Sequence, residues 1–405
     1  MTTTEPVQDW NQDYDIFDAH YVREPYPIWD EVRGGGCPVA HTDRWGGSYL
    51  PTSHAAVTGV AHDVDHFSSR EVTVAPLAQA IDETTGLPVR SIIVTDAPRH
   101  TPERRLMLPF FAPKAVERFR EPTRELCRTL IRGFIERGEV DAAAEYAKQI
   151  PPRVIAEILG IDPEMGDQFA DWVQGVLELG LQDPETAARY RAIIQDFFIG
   201  EFAKRMEQPG DDLISFLLGA ELDGEAVPMN VVKGNVSLML IAGIDTTWSS
   251  IGSALWHLAH HPEDRQRLVD NPELIPVAIE EFLRAYSPVT MARIATGDTE
   301  IAGCPVKAGE RVLLSFPAAN RDPEVFDQPD EVIIDREINR HVAFGAGSHR
   351  CLGSNLARLE MQVAIEEFLA MIPEFELADA DGVTWAGGQV RGPRNLPIRF
   401  PVPSL

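Results

Sequence analysis

Apolar residues recur every three or four positions through most of this chain, and the longest such run is apolar almost all round. From Asn230 to about His260 the series Val231, Val236, Leu238, Leu240, Ile241, Ile244, Trp248, Ile251, Leu255 and Leu258 leaves little polar face. Such a helix lies inside a large protein or inside a membrane. Asp245 at its middle would cost about 2.5–3.5 kcal/mol at a bilayer centre, and no basic cluster flanks it, so a central buried helix is expected. A second periodic segment follows Gly353, with Leu356, Leu359, Val363 and Phe368 among its apolar positions.

Between Ala115 and Met206 the pattern predicts several amphipathic helices, with Phe119, Leu126, Leu130 and Phe134 as a core stripe and a break near Gln182-Asp183-Pro184. Ala278–Arg284 is helical, and Pro288 ends that helix before an extended stretch. Short strands and turns are expected from Ser48 onward, and Trp385–Val390 reads as a hairpin with Gly387-Gly388 at its turn. Residues up to about Pro38 read as an arm packed on the body. Val72–Val94 is a long irregular loop, either a functional lid or a surface loop packed on itself. With no linker and no repeat, residues 1–405 form one mainly α body with small β-sheets.

Composition narrows the partners. A net charge of -27 opposes nucleic acid and anionic membranes. No apolar leader is visible at Met1-Thr-Thr-Thr-Glu-Pro, and Cys37, Cys127, Cys304 and Cys351 show no disulfide or zinc spacing. A reduced cytoplasm fits these features.

The chemistry concentrates at Phe344-Gly345-Ala346-Gly347-Ser348-His349-Arg350-Cys351-Leu352-Gly353. Glycines allow a tight loop and close backbone approach to a flat partner. A cysteine at the mouth of the following helix is favoured as thiolate, and the N–H groups of Leu352, Gly353 and Ser354 are placed to hydrogen-bond its sulfur. A lone cysteine is otherwise most often a small buried hydrophobe. In the long helix, Gly243 costs roughly 1 kcal/mol against Ala, and a buried Asp245 needs a partner. Two such penalties side by side point to function.

The first of these runs resembles the Phe-Gly-x-Gly-x-His-x-Cys-x-Gly signature of the cytochrome P450 superfamily. Ala242-Gly243-Ile244-Asp245-Thr246-Thr247 is similar to that family's oxygen-activation motif. The resemblance implies the P450 fold, with the long helix crossing heme b and Cys351 as ligand of its iron. Phe344 and Gly353 would flank the cofactor, and Ala242 and Gly243 would leave room for dioxygen. Thr246 would hydrogen-bond the oxygen and Asp245 would relay protons. His100 and Arg104, four apart on one helical face, would bind a heme propionate, as would Arg293 and His341. Glu281 and Arg284 match a Glu-x-x-Arg pair that is structural. Ile92, Ile93, Val289, Met291, Gln389 and Val390 would contact substrate, with Arg90 and Gln389 as polar anchors.

The implied activity is insertion of one oxygen atom from O2 into a small lipophilic compound, as hydroxylation, O-demethylation or epoxidation. No flavin, iron–sulfur or nicotinamide motif occurs, so electrons are expected from a separate ferredoxin and its NAD(P)H-dependent reductase. Arg99, Arg104, Arg105, Arg340, Arg350 and Arg358 fall around the expected heme and its proximal side; Arg350 and Arg358 especially would meet that ferredoxin. A monomer without a membrane anchor is expected. Two other readings stay open: a peroxide-driven peroxygenase, which the Asp245-Thr246 pair opposes, and a non-catalytic heme sensor.

Overall fold

The computed structural model describes residues 5–35, 37–82 and 85–402, so the first residues read above for a leader lie outside it. The helices that shape the site are, in chain order, α1 (His100–Met107), α2 (Arg120–Phe134), α3 (Ile150–Ile158), α4 (Pro184–Glu207), α5 (Met229–His260), α6 (Pro262–Asp270), α7 (Ile275–Ala285) and α8 (Ser354–Met371). The fold is mainly helical with small sheets, as the pattern predicts. α5 packs on α3, α8 and a C-terminal hairpin. Leu240, Ile244, Ile251, Leu255 and Leu258 on it are fully buried, each contributing about 1.5–3 kcal/mol. It stops at His260 because Pro262, in the first turn of α6, cannot continue it. No described helix is long and apolar enough to cross a membrane.

The predicted break is also present. A π-helical turn, Gly175–Leu179, precedes it, and the Asp183 side chain accepts from the Glu185 N–H at 3.2 Å while Pro184 opens α4. The main sheet has the order β1 (Val39–Thr42), β2 (Ser48–Pro51), β5 (Arg311–Ser315), β4 (Thr290–Ala295), β3 (Phe67–Ser68). β5 runs parallel to β2, and the other pairs are antiparallel. The N-terminal arm packs Tyr14, Tyr21 and Trp29 against Leu50 and Leu313 of this sheet. The C-terminal hairpin pairs β6 (Thr384–Ala386) with β7 (Gly392–Asn395), so its connection is longer than a two-residue turn.

The Val72–Val94 loop is tied to the start of α5. The Ile92 N–H donates to Asn235 Oδ1 at 3.0 Å, the Arg90 N–H to the Asn230 carbonyl at 3.2 Å, and Asn230 Nδ2 to the Pro88 carbonyl at 2.9 Å. Gly234 permits this contact, since a Cβ there would stand 2.1 Å from the Arg90 carbonyl oxygen. One expectation fails outright: Cys37 and Cys304, 267 residues apart, form a disulfide. That pairing follows from chain topology, which spacing does not reveal.

Glu281 and Arg284 are fully buried and joined by two 2.8 Å hydrogen bonds. Arg284 also donates to the carbonyls of Asn320, Pro329 and Glu331, and Glu281 accepts from the Ile333 N–H and from Arg336 and Asn339. α7 is thereby fixed to residues 320–339, which lead into the cysteine loop. Removing one partner of a buried pair costs about 3–5 kcal/mol. Arg284→Met should therefore lower the urea unfolding free energy by about that amount; a loss under about 1 kcal/mol, typical of surface pairs, would contradict this role.

Candidate active site

The cysteine loop is built from the backbone outward. Asn320 Oδ1 accepts from the Val342 N–H at 2.7 Å, the Gly345 N–H donates to the Val342 carbonyl, and the Cys351 N–H returns to the Phe344 carbonyl at 2.8 Å. Gly347 has φ +70°, and a Cβ on it would stand 2.2 Å from the Ala61 carbonyl oxygen, so no other residue fits there. Cys351 ends the loop just before α8, with the Gly353 N–H hydrogen-bonded to its sulfur. Cys351 is exposed to the cavity, yet desolvation by the surrounding protein raises its thiol overall, so the expected thiolate is not favoured by the protein alone; the Gly353 N–H and the charges of Arg104, Arg350 and Arg358 pull part of the way back.

Cys351 faces a cavity of about 220 Å³ between this loop and α5. Leu238, Ala242, Gly243 and Thr246 line it from α5, and Phe344, Cys351, Leu352 and Gly353 from the loop. The side chains of Arg104, Arg293 and His349 line it as well. His100 is buried with its ring 4.1 Å from that of His349, and its Nε2 has no partner. Burial, with Arg104 and Arg293 nearby, lowers His100 from its ordinary range, and burial next to these cations takes His349 down to about 3. Burial also lowers Arg293 to about 10. Among the described residues, neither Arg104 nor Arg293 has a carboxylate within ion-pair distance; they donate to the Arg350 and Ala292 carbonyls. Unpaired cations and an unpartnered imidazole are what the carboxylates of a flat, anionic group would satisfy.

His341 is not among the residues lining this cavity. It bonds Glu280 at 3.0 Å, and Glu280 also holds Arg358 at 2.6 and 2.8 Å. The Arg358 and His341 partners take the Glu280 carboxyl down to about 2 against the burial that would raise it. The imidazole at the cavity is His349, which stands inside the motif itself, two residues before Cys351. Its position in that motif was signal enough to find it.

On α5, Thr246 lines the cavity and its hydroxyl donates back to the Ala242 carbonyl at 2.8 Å. Gly243 makes room for Ile155 of α3, whose Cδ1 would lie 2.6 Å from an added Cβ. Asp245 lies outside the cavity lining and is 1% exposed. Its Oδ1 accepts from Arg394 Nη2 at 2.8 Å and from Ser249 at 3.3 Å, while Arg394 Nε donates to Glu178 at 2.8 Å. Burial raises the Asp245 carboxyl, Arg394 lowers it, and Glu178 raises it again. Arg394, on β7, and Glu178, on the π-helical turn, are far from α5 in sequence, so no local spacing announces them.

Ile92, Ile93, Val289 and Met291 line the cavity, joined by Leu238, Met239, Ile155 and Phe316. Gln389 and Val390 are not among the lining residues. Gln389 Oε1 accepts from the Val74 N–H at 2.9 Å, and Val390 bridges Val289. Arg90, also absent from the lining, pairs with Glu103 at 2.8 Å. The expected polar anchors are thus spent on loop packing. Glu360 of α8 lines the cavity, is buried, and has an Oε2 without a partner; burial raises it well above the carboxylate range. A carboxylate among Leu356, Leu359, Met361 and Val363 was its sequence signal.

A lone cysteine on one side of a cavity, with an alcohol on a buried helix across from it and unpaired cations at its edge, is the donor set that suits a heme whose iron takes a cysteine ligand. A family profile described as Cytochrome P450 matches residues 155–381, over half the chain. Cytochrome P450-terp of a Pseudomonas species is 33% identical over 385 residues, covering 89% of this chain and 90% of that protein. The steroid C26-monooxygenase of Mycolicibacterium smegmatis is 36% identical over 320 residues, covering 76% and 79%. The solved structure of CYP109Q5 from Chondromyces apiculatus superposes with TM-score 0.88 at 32% identity, covering 98% of this chain and all of that one. The chain belongs to the cytochrome P450 family; it is a P450 monooxygenase, and its cofactor is heme b.

The Asp245–Arg394 pair predicts a pH signature. Removing Arg394 deletes an influence that lowers the Asp245 carboxyl, so Arg394→Gln lifts its folded pKa further above the unfolded value near 3.8. A raised carboxyl destabilises above its folded pKa and is neutral below the unfolded one. The stability gap between Arg394→Gln and wild type should therefore be small near pH 4 and widen toward pH 7 in urea unfolding. A gap independent of pH would contradict the pairing.

Proposed function

We propose that this P450 inserts one oxygen atom from O2 into a small, neutral, lipophilic substrate, most simply as a hydroxylation. The observation carrying this reading is the lining itself. The wall made by Ile92, Ile93, Leu238, Met239, Val289 and Met291 is apolar, and Arg90 and Gln389 are engaged elsewhere. That a relative is named for a steroid agrees with a substrate of this kind. In this reading Cys351 holds the heme iron, and His100, Arg104, Arg293 and His349 bind the propionates. Once bound, the heme supplies dioxygen activation. The balance is substrate C–H, O2, two electrons and two protons giving C–OH and water.

The chain's own residues manage the protons. Thr246 turns its hydroxyl from the Ala242 carbonyl toward the cavity and donates there. Asp245, kept easier to protonate by its burial, restores the proton from the side facing Arg394 and Glu178. Electrons come from a separate ferredoxin with an NAD(P)H-dependent reductase in the cytoplasm, and one heme domain acts as a monomer. Arg105 and Arg350 are exposed and receive that acidic partner, whereas Arg358 is held by Glu280.

The direct test is turnover of neutral lipophilic compounds with a ferredoxin–reductase pair and NAD(P)H, against turnover with hydrogen peroxide alone. The reading expects the electron-fed route to dominate. Thr246→Ala should cut product per NAD(P)H on the order of tenfold or more, with peroxide released in its place. Dominant peroxide-fed turnover, insensitive to Thr246→Ala, would establish a peroxygenase instead. The ferredoxin rate should fall as ionic strength rises from about 0.01 to 0.15 M, where screening shortens from roughly 30 to 8 Å, and fall again in Arg105→Glu. A salt-independent rate would remove charge from the docking.

A further inference from the structure

Outside the heme site, the junction between α5 and α6 gathers His257, His261 and Asp264. Among the described residues they are the one group of three His, Cys, Asp or Glu able to hold a metal ion, with one donor atom of each within 4.8 Å of the others. The chain geometry explains the gathering. His257 and His261 are four residues apart across the last turn of α5, and Pro262 forces a new helix whose first turn carries Asp264. The two imidazoles stack with centroids 4.2 Å apart.

We propose that this junction is a binding site for a divalent transition metal, Zn²⁺ being the simplest occupant. His257 Nε2 and Asp264 Oδ2 already face each other at 3.0 Å. Two ligands about 2.0–2.1 Å from one zinc in tetrahedral geometry stand roughly 3.3 Å apart, so little movement separates the hydrogen bond from a metal bridge. Both imidazoles carry an outer partner on Nδ1: the Tyr286 hydroxyl at 2.8 Å from His257 and Glu263 at 3.3 Å from His261. Without a metal the neutral His257 donates its Nε2–H to Asp264 and accepts the Tyr286 O–H at Nδ1; a metal at Nε2 selects the other tautomer, whose Nδ1–H the Tyr286 oxygen accepts. Two imidazoles and a carboxylate favour zinc, copper or nickel over magnesium or calcium. His261 is 45% exposed, so the site opens to solvent, and a water would complete four-coordination.

The competing cation is Arg267, 3.7 Å from the other Asp264 oxygen but closer, at 2.6 Å, to Asp335. It can keep Asp335 when a metal takes Asp264. A bound ion would join α5 to α6 and, through Tyr286, to the end of α7. The chain there continues within two residues to Pro288 of the cavity wall.

The test uses the tag-free, heme-loaded protein and ZnCl2 in isothermal titration calorimetry, with thermal midpoints recorded in parallel. Wild type should bind one Zn²⁺ at micromolar concentration or below and gain thermal stability. His261→Ala and Asp264→Asn should each weaken binding at least tenfold, since loss of an outer partner alone typically costs about 10- to 100-fold. His66→Ala, an exposed histidine beside Asp63, should leave it unchanged. No stoichiometric binding in wild type, or the same isotherm in His261→Ala, would overturn the proposal.

Discussion

A guanidinium that has lost all contact with water must have every donor answered, and Arg284 is such a group. Its partners are Glu281 on its own helix and three carbonyls of the long irregular stretch that follows β5. Asn320, whose carbonyl accepts from Arg284, also accepts from the Val342 N–H with its side-chain oxygen. The cysteine loop is thus hung from α7 by a short series of hydrogen bonds, ending at Cys351. Without it, a stretch lacking helix or strand would have no reason to place a sulfur opposite α5.

The other side of the cavity rests on burial. α5 is held by apolar contact along most of its length, and Asp245 is its one carboxylate, beside the alcohol of Thr246. The two point differently: Thr246 into the cavity, Asp245 toward Arg394 and Glu178. The cavity and the Asp245–Arg394–Glu178 network therefore lie on different faces of one helix.

Legibility in the sequence followed the range of the interactions. The buried helix, the break at Pro184 and the heme loop were visible because each is carried by neighbouring residues: an apolar period, a proline, glycines beside a cysteine. Glu281 and Arg284 were visible for the same reason. What escaped is held by residues distant in the chain. Nothing near Asp245 announces Arg394, and nothing near Cys37 announces Cys304. Local spacing leaves Gln389 and Arg90 free for a ligand, because their partners, the Val74 N–H and the Glu103 carboxylate on α1, are not their sequence neighbours. His341 bonds Glu280 on α7, a partner distant in sequence, whereas His349 at the cavity stands within the cysteine motif, where local spacing points to it.

The central claim is that Cys351 presents a thiolate to heme iron across from Thr246. It is tested most directly by the absorption spectrum of the reduced protein under carbon monoxide, recorded for wild type and for Cys351→His. A strongly red-shifted carbonyl Soret band in wild type, replaced in Cys351→His by the band of a histidine-ligated heme, is the predicted result. A histidine-type band in wild type, or one unchanged by the substitution, would mean that another residue holds the iron.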